Sequence, residues 1–471
     1  MRPGGAARDA AAERGAPVRM TWVQPEDLVG HELRQAAQDG RDASAVERRW
    51  RDAGGHGAPP LAGASAEPAG PRLRALAERL LDELAELPVP SAAEEPTDLD
   101  AIVAACPDWP EGAGADRPPL PAGLADRVRG AWIGRAAGCV LGKPVEKIPR
   151  EGIREIAEAT GNWPIRGWFT AEGLPGAVAR RWPWNRRSAP TSLAENIDGT
   201  PEDDDLNFPM LGLALLERYG PGFGTGDVAR MWLDELPPGR VFTAERVAVR
   251  NLLLGLEPPD TARHRNPFRE WIGAQIRADV HGWANPGDPA GAARAAYRDA
   301  VLSHTANGVY GAMYAAALTA SSLVAADAEE AVLSAARVLP PGSRMAAAVW
   351  EAAALARAEP DFERVLDALH ERHAGLHWVH SVNNAAAVTA ALVHGGGDFT
   401  ASITAVVSAG WDTDSDGATV GSVVGALTGA DALPAYWTAP LRNRVASSLT
   451  GFDGITFDEL TARTLALHRR P

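Results

Sequence analysis

Carboxylates concentrate in two runs of this sequence, and each run directly precedes a stretch of helix-forming residues. The first run spans Glu202 to Asp205 and stands before the apolar segment 206–219. Four acids in succession repel one another unless a cation lies among them. Acidic residues also cap free N–H groups at a helix start. The run alone therefore leaves helix capping and metal binding both open.

The second acidic run contains Asp412, Asp414, Ser415 and Asp416. Its opening matches the calcium loop D-x-D-x-D-G, but an EF-hand needs a Glu at its twelfth position, where Val423 stands. An EF-hand is not expected, whereas a plain Asx turn remains an alternative. Together the two runs offer carboxylates and hydroxyls with no cysteine partner, a ligand set that suits Mg²⁺, Mn²⁺ or Ca²⁺ and not zinc. Two ions would relieve the crowding of so many acids.

Four histidines within one short stretch raise a competing zinc hypothesis. They are His370, His373, His377 and His380. The zinc-protease pattern H-E-x-x-H would need a histidine at position 374, which is Ala374. We therefore interpret most of these histidines as surface or helix-end residues.

Composition limits the class of protein. The 471 residues include 46 Lys plus Arg against 61 Asp plus Glu, a formal charge of −15, which is opposite in sign to that of a typical nucleic-acid binder. Two cysteines argue against a disulfide scaffold, and we find neither a signal-peptide core nor a run of about 18 apolar residues. These features predict a cytoplasmic protein with no nucleic-acid duplex and no membrane as partner. They leave its oligomeric state open.

The elements that must position the acids are predicted to be helices, because Ala, Gly and Leu are abundant and aromatics are only 6%. Leucine spacing predicts an amphipathic helix over 73–87, after a pair of short helices within 27–51. Glycines at 417, 421 and 425 predict close helix packing. We expect an all-α chain with a disordered segment 1–20, a helical extension 21–120 with Pro/Gly linkers, and one large helical domain 121–471.

Three segments, in order, resemble the ADP-ribosylglycohydrolases, the family that includes the dinitrogenase-reductase-activating glycohydrolase. They are residues 129–146 (RGAWIGRAAGCVLGKPVE), 201–208 (PEDDDLNF) and 410–422 (GWDTDSDGATVGS). Segments 303–312 and 380–388 look similar in place and character. The resemblance implies a compact all-α catalytic domain over 121–471. It also implies a binuclear Mg²⁺ site, with Mn²⁺ as a substitute.

Carried over by position, the resemblance assigns roles to particular residues. The implied metal ligands are Asp203, Asp204, Asp205, Asp412, Asp414 and Ser415. The implied catalytic residues are Glu146, Asp204 and Asp205, with the division of roles among them open, and the implied substrate-binding residues are His304, Asn307, Gly410 and Trp411. Asp203 and Ser415 each stand where the family has Thr, and Gly410-Trp411 stands where Gly-Gly is common.

The activity implied by the resemblance is hydrolysis of an ADP-ribosyl N- or O-glycosidic bond on a protein or a small compound. A hydrolase of a small N-ribosyl or nucleotide-sugar metabolite is one alternative, and a non-catalytic binding or structural protein is another. The segment between Glu146 and Glu202 is rich in tryptophan and arginine. Two interpretations stay open for it: an anion-accepting lid over the substrate, or packing of a long insertion onto the body. Its residues of these types are Trp163, Trp168, Trp182, Trp184, Arg166, Arg180, Arg181, Arg186 and Arg187.

Overall fold

Helices make up the regular structure of the computed structural model, which describes residues 19–58, 63–65, 67–110 and 121–468. This part of the chain contains 24 α-helices and no sheet, which confirms the all-α prediction. Three isolated bridges, such as Thr200 with Val445, are its only β-type pairings among the described residues. Of the segment predicted to be disordered, residues 1–18 lie outside the described residues.

The helices follow one another along the chain with short connections. In the N-terminal region they are α1 (Pro25–Gln38), α2 (Ser44–Asp52), α3 (Pro71–Ala85) and α4 (Leu99–Ala105). They continue with α5 (Leu124–Gly142), α6 (Arg150–Ala159), α7 (Gly176–Arg181), α8 (Ala189–Ser192), α9 (Asp204–Tyr219), α10 (Thr225–Glu235), α11 (Thr243–Leu253), α12 (Asp260–Arg263), α13 (Gly273–Ile276) and α14 (Asp279–Trp283). The last are α15 (Pro289–Ala300), α16 (Ala306–Ser322), α17 (Ala328–Ala336), α18 (Arg344–Ala358), α19 (Phe362–Arg372), α20 (Ser381–Gly395), α21 (Phe399–Ser408), α22 (Thr413–Thr428), α23 (Ala435–Thr438) and α24 (Phe457–Leu467).

The N-terminal helices confirm the pattern expected from the sequence. Helices α1 and α2 are the predicted short pair, and α3 is the predicted amphipathic helix, with Leu80, Leu81 and Leu84 buried. An aromatic contact joins this region to the body: the ring of His31 on α1 lies 5.0 Å from that of Phe268 and 5.7 Å from that of Trp271. The N-terminal helices therefore share a core with the domain that follows.

Buried ion pairs reinforce this junction. The residues from the N-terminal region are Glu32, Asp39, Arg41 and Glu95, and those from the body are Arg269, Glu270 and Arg344; we call these seven the docking cluster. Arg269 lies 2.8 Å from both Glu32 and Asp39. Arg344 lies 2.7 Å from Glu95 and 2.9 Å from Glu270. Each carboxylate of the cluster is within ion-pair distance of an arginine.

Helices α5 and α22 pack against each other along glycine faces. Each glycine of α5 faces the backbone of α22 so closely that an added Cβ would overlap a carbonyl oxygen there, and most of the facing positions are glycine too. The facing pairs are Gly130 with Gly425, Gly134 with Gly421, Gly138 with Gly417, and Gly142 with Thr413. The close packing predicted from the α22 glycines is confirmed, and its partner is α5.

The direction of this pairing determines what lies at its end. The pairs run in opposite order along the two helices, so α5 and α22 are antiparallel, and the last residue of α5 lies beside the first residue of α22. The hydroxyl of Thr413 donates to the carbonyl of Gly142 at 2.9 Å. Glu146 and the second acidic run are thereby placed at the same end of the helix pair.

Two properties concern the chain's surroundings. Both cysteines, Cys106 and Cys139, are buried and free. Across the described ranges, the helices are too short or too polar to traverse a bilayer.

Candidate metal and catalytic site

Three helix ends meet beside the glycine-faced pair. Asp203 caps the start of α9, where one of its carboxylate oxygens accepts the backbone N–H of Asp205 at 2.9 Å. The hydroxyl of Ser415 on α22 donates to the Asp205 carboxylate at 3.3 Å, across 210 residues of sequence. The two acidic runs therefore meet in space. We call the combined cluster the acidic site, and its carboxylates are Glu146, Asp203, Asp204, Asp205, Asp412, Asp414 and Asp416.

Arg135 anchors the acidic site to the core. It lies in the middle of α5 and is fully buried. Its guanidinium donates to the carbonyl of Asp205 at 2.7 Å and lies 3.4 Å from the Asp205 carboxylate. It also pairs with Asp279 on α14 at 2.8 Å. One guanidinium thus fixes the start of α9 against two other helices.

Lys143 brings a second cation into the site. It opens the short 3₁₀ turn Lys143–Val145 that follows α5, and its ammonium forms an ion pair with the other oxygen of Asp203. Burial alone would raise the pKa of Asp203, but the Lys143 ammonium outweighs it, and the pKa of Asp203 is lowered. Both oxygens of Asp203 therefore have a partner within the protein.

Glu146 is held from two sides at the edge of the site. Lys147 lies 2.8 Å from one of its oxygens, and the side-chain amide of Asn185 donates to the other. Asn185 is itself fixed, because its backbone N–H donates to the carbonyl of Pro144 at 3.0 Å. The carboxylate of Glu146 is thereby oriented before any substrate arrives.

The remaining acids repel one another. Burial, and then the charges of Glu146 and Asp203, raise the pKa of Asp414 to about 7. Burial, and then Asp203 and Asp414, raise the pKa of Asp205 well above its usual range. The same causes act on other members, and burial ranks first for each: the pKa values of Asp204, Asp412 and Asp416 are also raised. Such shifts indicate a shortage of positive charge.

Asp416 shows this shortage most directly. Its side chain is 1% exposed, and neither carboxylate oxygen has a hydrogen-bond partner among the described residues. An unpaired buried carboxylate costs several kcal/mol, on the order of 3–5, unless a cation compensates it. Asp416 faces the charge of Asp414, which is a further repulsion.

The charges of the acidic site do not balance. Seven carboxylates face three cations, Arg135, Lys143 and Lys147, within the described part of the chain. The deficit of four unit charges equals the charge of two divalent cations. Carboxylate oxygens with one hydroxyl are the donors that Mg²⁺ and Mn²⁺ prefer. The residues present therefore fit a divalent metal centre.

Cys139 is a neighbour that the sequence-based ligand set omitted. Its sulfur and one carboxylate oxygen each of Asp203 and Asp205 all lie within 4.8 Å of one another. Burial, and then the charges of Asp203 and Asp205, raise the pKa of this thiol well above its usual range. A protonated thiol is a poor metal ligand, so the oxygen donors remain the favoured ones.

Gly410 and Trp411 lie at the turn that leads into the second acidic run. The ring of His370 stacks on Trp411 with centroids 4.4 Å apart, and His373 meets its edge at 6.2 Å. Trp411 is 8% exposed. The backbone N–H of Asp412, next along the chain, donates to the side-chain carbonyl of Asn384 at 3.1 Å. Two of the four clustered histidines thus buttress this turn.

His304 and Asn307 are placed differently. Both are fully buried. His304 lies 2.8 Å from the hydroxyl of Ser303, and the Asn307 carbonyl accepts the backbone N–H of Met345 at 3.0 Å. Among the described residues, no hydrogen bond or ion pair joins either side chain to the acidic site. The structure brings together the other predicted site residues but not these two.

The insertion rich in Trp and Arg makes mostly internal contacts. The indole N–H of Trp182 donates to Glu155 at 2.6 Å, and Trp168 packs edge-on against Trp437 at 4.6 Å. Arg154 covers the ring of Trp163 at 4.9 Å. These contacts favour the packing interpretation for these tryptophans. The insertion nevertheless reaches the acidic site through Asn185.

Comparison with known proteins agrees with this picture. The model of the ADP-ribosylglycohydrolase family matches residues 120–469, and the chain belongs to that family. The resemblance noted from three motifs is thereby confirmed, and membership supports a glycosidic hydrolase activity. A solved structure described as "ADP-ribosylglycohydrolase-related protein complex" is similar with 22% identity and a TM-score of 0.45, covering 74% of this chain and 98% of that chain. No curated protein matches the sequence.

Proposed function

We propose that the chain hydrolyses an ADP-ribosyl N- or O-glycosidic bond and requires two Mg²⁺ ions in the acidic site, with Mn²⁺ as a substitute. The observation that carries the proposal is the buried deficit of four charges. We assign the ligands to Asp204, Asp205, Asp412, Asp414 and Ser415. Asp203, expected in this set from the sequence, already has partners on both oxygens.

Divalent cations bound there would supply Lewis acidity for gripping the vicinal hydroxyls of a ribose and lowering the pKa of a water. The protein's own contribution begins with Glu146. Because Asn185 and Lys147 each hold one of its oxygens, the carboxylate is oriented to accept a proton from a water at the mouth of the site. Asp204 is the second base candidate, since it is partly exposed at the start of α9.

The surrounding carboxylates also favour the bond-breaking step. Departure of the group at the anomeric carbon of the ribose leaves a centre with oxocarbenium character. Fixed negative charges in a site largely shielded from water stabilise such a centre more than water does. We assign substrate contact to Gly410 and Trp411, at the turn beside Asp412. His304 and Asn307 are fully buried and would support the substrate side only indirectly.

Metal titration followed by product analysis tests the proposal. We expect isothermal titration of the chelator-treated full chain to give two Mn²⁺ or Mg²⁺ per chain. We expect mass spectrometry to detect free ADP-ribose after incubation with a protein ADP-ribosylated on arginine or serine. Release of ribose from small N-ribosyl compounds, without ADP-ribose release, would instead support the metabolite alternative.

Matched variants make the test specific. Asp204→Asn and Asp414→Asn should each lower turnover by a factor of 100 or more, whereas Asp327→Asn should leave it unchanged. Asp327 is an exposed residue that caps α17 by accepting the N–H of Glu330 at 2.8 Å, and Asn caps helices as well as Asp. Absence of divalent-metal binding, together with full activity of both site variants, would refute the proposal.

A further inference from the structure

The ion pair between Lys143 and Asp203 lies inside a site that is short of positive charge. A lysine and an aspartate occupy positions beside the metal ligands proposed above, so the inference rests on that proposed function. Lys143 is 6% exposed and Asp203 is 8% exposed. A pair this well buried is not a surface decoration, because ions leave water at a cost of several kcal/mol.

Asp203 has no free carboxylate oxygen. Its Oδ1 accepts the backbone N–H of Asp205 at 2.9 Å, which caps α9. Its Oδ2 contacts the ammonium of Lys143. A metal ion could reach Asp203 only by displacing one of these partners.

Lys143 has little freedom to withdraw. The preceding residue, Gly142, lies against the backbone of Thr413 so closely that it has no room for a side chain. The following residue is Pro144, which restricts the 3₁₀ turn. The ammonium also lies 3.4 Å from the carbonyl of Glu202. The lysine is therefore anchored at its base and at its tip.

The other two cations of the acidic site behave differently. Arg135 divides its guanidinium between Asp205 and Asp279 beneath the site. Lys147 is 43% exposed in its side chain and pairs with Glu146 at the edge. Lys143 alone of the three takes a carboxylate from the middle of the first acidic run.

We propose that Lys143 is a fixed internal counter-ion that confines Asp203 to capping α9 and keeps it out of the metal coordination. The pair is then a neutral unit next to the ions. Its lysine weakens divalent-metal binding, because the ammonium repels the ions and withholds an oxygen donor. Lys143 is thus a residue that sets metal affinity without being a ligand.

Isothermal titration with Mn²⁺ on the chelator-treated full chain tests this proposal through two variants. Lys143→Met should bind Mn²⁺ at least ten times more tightly than the wild type, because Asp203 becomes available and one positive charge is removed. Lys143→Met with Asp203→Asn should bind within threefold of the wild type, because the neutral pair is replaced by a neutral pair. Native mass spectrometry should count the same number of ions in the wild type and the double variant.

Opposite results would overturn the proposal. If Asp203 is a metal ligand, the double variant will bind Mn²⁺ at least ten times more weakly or hold one ion fewer. Unchanged or weaker binding by Lys143→Met would also contradict it. The double variant leaves no buried charge unpaired, so it keeps the test available where the single variant does not fold.

Two further controls separate the causes. Lys147→Met removes the same charge from an exposed position and should change Mn²⁺ affinity by threefold or less. Failure of the proposed function gives a distinct result. If all variants bind two ions in the expected order but ADP-ribose is never released, the proposed activity is wrong and the role of Lys143 stands. If neither the wild type nor Lys143→Met binds Mn²⁺, both proposals are wrong.

Discussion

Two buried carboxylates in this molecule are shifted in opposite directions. Glu270, in the docking cluster, has its pKa lowered to about 2, because Arg344 outweighs the effect of burial. Asp414, in the acidic site, has its pKa raised to about 7, because burial and neighbouring acids act together. Each is at most 7% exposed. Burial is therefore shared, and the supply of cations makes the difference.

The contrast separates a structural cluster from a functional one. In the docking cluster, three arginines serve four carboxylates, and each carboxylate lies within ion-pair distance of at least one of them. In the acidic site, three cations serve seven carboxylates, and Asp416 has no partner among the described residues. A cluster that is complete without a ligand serves stability. A cluster that lacks four charges is prepared for cations from solution.

Removing a cation from the acidic site should have the largest effect. Arg135→Met leaves Asp205 and Asp279 without their guanidinium, and loss of one partner of a buried pair costs about 3–5 kcal/mol. Urea unfolding in the presence of a chelator measures it. Added Mn²⁺ should restore part of the lost free energy of unfolding, because it supplies charge beside Asp205. A loss below about 1 kcal/mol would contradict the burial argument.

The equivalent change in the docking cluster should be smaller and indifferent to metal. Arg344 pairs with Glu95 and Glu270, but its side chain is 29% exposed, so solvent screens part of the loss. We expect Arg344→Met to lower the free energy of unfolding by about 2–3 kcal/mol. Hydrogen exchange should quicken in α1 and α4. Recovery of stability on addition of Mn²⁺ would erase the distinction between the clusters.

The aromatic part of the junction should respond to pH. Burial, and then the charges of Arg34 and His377, lower the pKa of His31 from 6.5 to about 3. The unfolded chain therefore binds a proton below pH 6.5 that the folded chain refuses. Stability present above pH 6.5 is lost as the pH falls towards 3, by about 2 kcal/mol between pH 6.5 and pH 5.

A variant isolates this contribution of His31. Urea unfolding of His31→Phe, which keeps a ring against Phe268 and Trp271, should show a decrease between pH 6.5 and pH 5 that is smaller by that amount. The same decrease in the variant and the wild type would assign it to other groups.

An exposed ion pair should have the smallest effect. Arg51 and Glu47 lie one turn apart on α2, 2.6 Å from each other, with side chains 69% and 42% exposed. Arg51→Ala should change the free energy of unfolding by less than about 0.5 kcal/mol. The same urea experiment measures it. A larger change would mean that exposure is a poor guide to the value of the ion pairs compared above.

Local patterns in the sequence predicted much of this arrangement. Leucine spacing gave α3, and the two acidic runs were expected at helix starts, where α9 and α22 begin. The glycines of α22 predicted a close neighbour but not its identity. That identity needed the complementary glycines of α5 and the antiparallel match between them, which only the folded chain displays.

Residues whose roles depend on distant partners gave no usable signal. Lys143 read as a solvated charge at a helix stop, yet it is buried against Asp203, 60 residues away. Asn185 lies in an insertion with no recognisable motif, and its contact with Glu146 depends on how that insertion packs. His304 and Asn307 were chosen by position in a similar segment, a criterion that carries no information on distance to the acids.

The glycine faces of α5 and α22 bear on which ion the site accepts. Two helices in backbone contact at successive levels cannot separate or slide by a fraction of an ångström without steric overlap. The carboxylates carried at their adjoining ends therefore keep a nearly constant span. A constant span discriminates by ionic radius, because Mg²⁺ takes oxygen ligands at about 2.1 Å and Ca²⁺ at about 2.4 Å. Residues with no side chain, remote from any ligand, would in this way act as the gauge that admits the smaller ion.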